Sequence, residues 1–112
     1  MAKLDWDRES REARKRKHGA LPVWADPGVI SFDDDLKIRE LLQPLVDIVD
    51  EFAGMSRTQQ RQRGSEFSHR LRRQADQVRA TGVFDDALSR EVLAGRVDHL
   101  VDRLRKLESA AR

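Results

Sequence analysis

Two stretches of this chain carry apolar residues at a spacing that only a helix gathers onto one side. Ile38, Leu41, Leu45, Ile48, Phe52 and Met55 recur at intervals of three and four, and so do Leu93, Val97, Leu100, Leu104 and Leu107. An α-helix lines such residues along one stripe, whereas a strand would divide them between two faces. Leu88, Val92 and Val101 widen the second stripe, and Phe67, Leu71, Ala75 and Val78 form a third, narrower one. No segment alternates with the period of a strand. The expected fold is therefore all-α: a helical hairpin or an antiparallel three-helix bundle over residues 33–112. A basic N-terminal helical arm and an extended connector, residues 1–32, precede it.

Local signals place the helix ends. Gly54 closes the first seam, and Ser56-Arg57-Thr58-Gln59 fits a capping box that opens the next helix. Thr81-Gly82 stops that helix, and Asp85 or Asp86 caps the last one. Pro44 predicts a kink or short break near residues 41–43, because proline lacks the N–H that a helix interior needs. Residues 57–66 hold no large apolar side chain, so Gly64 is expected to divide a polar loop from a helix.

At the N-terminus, Asp5 to His18 reads as a highly charged helix with Asp5 as N-cap, Gly19 just past its end and Pro22 beyond. Its apolar residues are only Leu4, Trp6 and Ala13. A helix this short without a buried face is marginal in water. The arm is thus expected to be a separable module hinged at residues 19–22 that orders on a partner. The connector carries a turn signal, Asp26-Pro27-Gly28, and enough apolar residues to rejoin the body, with Trp24 as the anchor.

Composition narrows the functions. Of 112 residues, 38% are charged and 5% aromatic, so the core is small and mostly aliphatic. The chain has no cysteine, which suits a reducing cytoplasm and leaves no thiolate site. No apolar run approaches the roughly 18 residues of a membrane span, and the basic N-terminus lacks a signal-peptide core. The expected protein is cytoplasmic, with no membrane partner. The net charge of +2 hides blocks of opposite sign, with residues 1–20 and 57–79 basic and residues 21–56 acidic.

Those blocks supply the candidate sites. Arg11, Arg14, Lys15, Arg16 and Lys17 form one cationic run, and arginine forks match phosphate geometry. Arg63, Arg70 and Arg73 fall at helical spacing and form a second patch, with Gln59, Gln60 and Gln62 as neutral donors. The competing expectation is that these arginines pair with Asp47, Asp50 and Glu51. Trp6, Val23 and Trp24 are the candidate partner-binding residues, since an aromatic on a polar helix needs a surface to sit on. His18, His69 and His99 lack ligand spacing, and Asp33-Asp34-Asp35 lacks the grammar of a calcium loop. No metal, cofactor or catalytic residue is expected, and the chain is not expected to be an enzyme.

Two functions fit. One is a small nucleic-acid-binding or regulatory protein, for DNA or RNA, that uses the arm and the arginine face. The other is an adaptor or small subunit of a larger protein assembly that docks through the arm and the Trp24 connector. The seam over residues 86–108 is expected first to serve the chain's own core, with a homodimer through that helix as the alternative.

Overall fold

The structure, a computed structural model, describes residues 4–16, 23–25 and 29–112, apart from the side chains of Arg14 and Arg16. It is all-α, with no strand among the described residues. Helix α1 is Trp6–Arg16, followed by a short 3-10 turn, Val23–Ala25; α2 is Phe32–Ala53, α3 is Arg57–Arg79 and α4 is Ala87–Ala111. The expected stops at Gly19 and Pro22, the turn at Asp26-Pro27-Gly28, and Lys17 and His18 lie outside the described residues.

Each cap arises from its local sequence. The Asp5 carboxylate accepts from the Asp7 N–H at 3.0 Å, and its carbonyl accepts from Glu9 at 2.9 Å, so Asp5 opens α1. Ser31 caps α2 by accepting from the Asp34 N–H, so the helix starts just before the expected start of the body near residue 33. Ser56 and Gln59 make the reciprocal bonds of the capping box at the start of α3. Asp86 caps α4, and Gly82 takes φ +62° in the preceding loop, which only glycine adopts freely.

Two expected interruptions are absent. α2 runs unbroken through Pro44. Pro44 and Glu40 are both exposed, so the hydrogen bond that proline cannot give to the Glu40 carbonyl is lost on the water side. α3 likewise runs through Gly64 as one helix of 23 residues. Gly64 is buried because Glu108 of α4 closes over it: a Cβ at this position would stand 2.9 Å from Glu108 Oε1. The glycine serves the contact between α3 and α4 rather than a break.

The core is shared by α2, α3 and α4. Ile38, Leu42, Leu45, Val49 and Phe52 meet Phe67, Leu71 and Ala75, together with Val92, Val97, Leu100 and Leu104. Phe52 and Phe67 stack at a tilt, with centroids 5.4 Å apart. On α2 the deepest residues include Leu42 and Val49, while Leu41 and Met55 lie at the edge. A helix held by two neighbours buries a wider stripe than a strict heptad seam. Cross-links fix the pairing: Arg57 donates to the Ala110 carbonyl, Ser68 to Glu108 and Arg79 to Asp98. Early residues of α3 thus meet late residues of α4, and these two helices run in opposite directions.

Helix α1 departs most from expectation. It has a buried face after all, made of Trp6, Glu9 and Ala13. Their spacing of three and four puts them on one stripe. Trp6 joins the common core, Glu9 reaches His99 and Arg103 of α4, and the helix packs on the turn Val23–Ala25.

Candidate functional site

The contact of α1 with the body is a clasp built on a buried carboxylate. Glu9 is only 6% exposed. Its Oε1 accepts from Arg103 Nη1 at 2.6 Å, and its Oε2 lies 3.2 Å from His99 Nε2. His99 and Arg103 stand four apart on α4, so one helix face holds both against the same carboxylate. The His99 hydrogen bond is the largest influence holding the Glu9 carboxyl below its ordinary 4.5, and Arg103 adds to it against the opposing effect of burial.

Aromatic rings cover this ion pair. Trp24 stacks on His99 with centroids 4.3 Å apart and planes at 23°. Trp6 meets Trp24 edge-on at 6.4 Å. Trp24 approaches so closely because α4 carries Gly95 beneath it, where a Cβ would stand 2.9 Å from Trp24 Cβ.

A second network locks the same junction. Arg96 of α4 is 7% exposed; it donates to Asp35 at 2.7 Å and to the Trp24 carbonyl at 3.3 Å, and its guanidinium lies 5.3 Å from the Trp6 ring centroid. Arg39 bridges Asp35 and Asp7 at 2.7 and 2.9 Å. Burial pushes the Asp35 carboxyl up, but Arg96 and Arg39 together hold it below its usual range. The Leu4 N–H donates to Asp50 at 3.3 Å. Acids of α1 and α2 are therefore neutralised by cations of α4 and α2 across the seat of α1.

These contacts relocate the expected partner-binding residues. Trp6 is buried on its own body, and Val23 and Trp24 are half-buried against the core. The surface that Trp6 was expected to find on another molecule is supplied by α2 and α4. Arg11 and Lys15 point to solvent on the opposite face of α1. Lys17 and the side chains of Arg14 and Arg16 lie outside what the structure describes.

On α3 the arginines sort into two groups. Arg63 and Arg70 flank the Phe67 ring, with guanidinium carbons 5.0 and 4.8 Å from its centroid. Arg63 is held by both Glu66 oxygens at 2.9 Å, and Arg70 lies 3.8 Å from Glu51. Of the three acids expected to neutralise the arginines, Glu51 makes this one contact; Asp47 accepts from Gln43 and Asp50 from Leu4. Gln60 is buried and donates to the Phe52 carbonyl. Arg73 is exposed, and no described acid pairs with it. The same holds for Arg61 and Arg72, which were not among the expected contacts. Arg61 and Arg72 stand eleven apart, close to three turns, and so share a line about 16 Å long.

Among the described residues α1 and α3 share no contact: α3 packs against α2 and α4, while α1 packs on the turn Val23–Ala25 and reaches α2 and α4 through side chains. Among the described residues no cluster of His, Asp and Glu could hold a metal ion, and no helix is long and apolar enough to cross a membrane. Of the acidic triplet, Asp34 accepts from the Ser89 hydroxyl and Asp35 is ion-paired. No family model, curated protein or solved structure matches the chain.

Proposed function

We propose that this is a non-enzymatic protein that holds the phosphate backbone of a nucleic acid along the solvent face of α3. Arg61, Arg72 and Arg73 are the principal contacts, with Arg63 and Arg70 as a flanking pair already committed to Glu66 and Glu51. The observation that carries this reading is that Arg61, Arg72 and Arg73 are exposed with no described acid to neutralise them, whereas most other described arginines are ion-paired. A guanidinium that no carboxylate engages is available to a phosphate at small desolvation cost. Helices α2 to α4 act as a three-helix bundle that presents α3. Arg11 and Lys15 form a separate, weaker basic patch.

The test is fluorescence anisotropy of a labelled 20-base-pair duplex and a 20-nucleotide single strand, titrated with the full chain at several salt concentrations. Binding is expected to weaken with salt. Replacing Arg61, Arg72 and Arg73 by alanine is expected to lower the logarithmic salt slope by roughly three, about one for each phosphate left without its arginine. No binding to either probe, or an unchanged slope, would count against it.

The adaptor reading has its own support in exposed apolar side chains. Phe32 is 75% and Val83 54% exposed, at the start of α2 and in the loop between α3 and α4. A salt-tolerant protein partner that no longer binds the Val83→Ser chain would favour that reading.

A further inference from the structure

The chain's own α1 shows what the surface between α2 and α4 binds. We propose that this groove is a helix-docking site, that α1 is its resident ligand, and that its external partner is an amphipathic helix of another protein. That partner carries an aromatic residue, a carboxylate three positions on, and a small residue four positions beyond. The site is distinct from the solvent face of α3 and goes beyond the phosphate reading.

The specificity is read from the resident. Trp6 enters the core, Glu9 sits between His99 and Arg103, and Ala13 is 8% exposed on the same stripe. His99 and Arg103 select a carboxylate, because a cation or an apolar residue there would leave Arg103 without its partner. A helix that lays one stripe of residues into a groove is a recurrent mode of protein recognition.

Two observations make α1 a replaceable occupant. It is 11 residues long, below the length at which a helix is stable alone in water, so ordering it consumes part of the energy of docking. It also underfills its seat. A hollow of about 430 Å³ opens beside Leu4 and Trp6, against Val46, Asp47 and Asp50 of α2. Another, of about 310 Å³, opens beside Glu9, against His99, Arg103 and Leu107 of α4. A longer or bulkier helix with the same three anchors would bury surface that α1 leaves open. Tethering keeps α1 in place through its high effective concentration rather than through a perfect fit.

The experiment uses the full chain and a fluorescein-labelled synthetic peptide of residues 4–16 with blocked ends. The Glu9→Lys chain sets a cation against His99 and Arg103 and dislodges its own arm. Helicity by circular dichroism checks that the body stays folded. Ala13→Glu, which crowds the resident without altering the groove, is a second arm-weakening variant.

Both variants are expected to bind the peptide about tenfold or more tighter than the unaltered chain, since a seated competitor reduces apparent affinity by the fraction of open groove. Adding Arg103→Glu to the Ala13→Glu chain is expected to abolish binding, and the peptide carrying Glu9→Lys is expected to restore it. The proposal is overturned if the peptide binds none of the chains, or binds all of them alike regardless of Arg103. It is also overturned if light scattering shows the unaltered chain to be a dimer that exchanges arms, because the occupant is then a second copy.

Discussion

Two glycines inside helices give the sharpest test of how the chain is packed. Either one replaced by alanine gains about 1 kcal/mol of helix propensity. At Gly64 the new Cβ meets only the far end of Glu108, at 2.9 Å from Oε1 and 3.0 Å from Cγ. That side chain can swing toward solvent, losing its bond to Ser68 at a cost of about 1 kcal/mol, so Gly64→Ala is expected to be near neutral. At Gly95 the new Cβ meets Trp24 Cβ at 2.9 Å, with Cδ1 at 3.2 Å. A Cβ is tied to its backbone, so the whole turn Val23–Ala25 must lift. Overpacking of this kind costs about 1–3 kcal/mol, and the Trp24–His99 stack contributes about 1 kcal/mol more. After the propensity gain, Gly95→Ala should lose about 1–3 kcal/mol of turn docking. The assay is urea unfolding followed by both far-ultraviolet circular dichroism and tryptophan emission. A red-shifted native emission is expected for Gly95→Ala and not for Gly64→Ala. If Gly95→Ala is as stable as the parent with unshifted emission, the seat of Trp24 on α4 is wrong.

Acid should release the clasp. The folded Glu9 carboxyl titrates below its ordinary 4.5, so its stabilising contribution is full above that value and is lost as pH falls from 4.5 through the lowered folded value. Tryptophan emission should therefore change below about pH 4.5 in the parent, and the Glu9→Gln chain should lack that step. Pro44→Ala restores a helix hydrogen bond on the exposed side of α2 and should raise stability by about 1–3 kcal/mol, read as a higher melting temperature. Ser56→Ala removes the capping box of α3 and should cost about 1 kcal/mol in the same measurement.

The helices were legible wherever one local rule decided the outcome. The seams over 38–55 and 93–107 identified α2 and α4, and Ser56, Gln59 and Asp86 marked caps that the structure uses. Pro44 and Gly64 misled because a local rule met a tertiary fact: one lies on the water side, and the other lies under Glu108. The clasp was hidden for another reason. Glu9 and its partners are 90 and 94 positions apart, and a stripe of Trp, Glu and Ala does not read as apolar. One signal was present, namely Arg96, His99 and Arg103 at helical spacing beside the α4 seam. Such a row at the edge of a core calls for buried acids from elsewhere. Of the exposed α3 arginines with no described acid, Arg73 was among the expected contacts, while Arg61 and Arg72, eleven residues and about three turns apart, were not.

The central claim is that α1 is a docked part of the body rather than a free arm. The most direct measurement is a nuclear Overhauser spectrum of the full chain near neutral pH, focused on the indole protons of Trp6 and Trp24 and the ring protons of His99. The ring centroids of Trp24 and His99 lie 4.3 Å apart and those of Trp6 and His99 6.0 Å apart. Cross-peaks between both indoles and the His99 ring are expected, together with slow exchange of the Trp6 indole N–H. Random-coil shifts for Trp6, fast exchange and no contact to His99 would contradict the account.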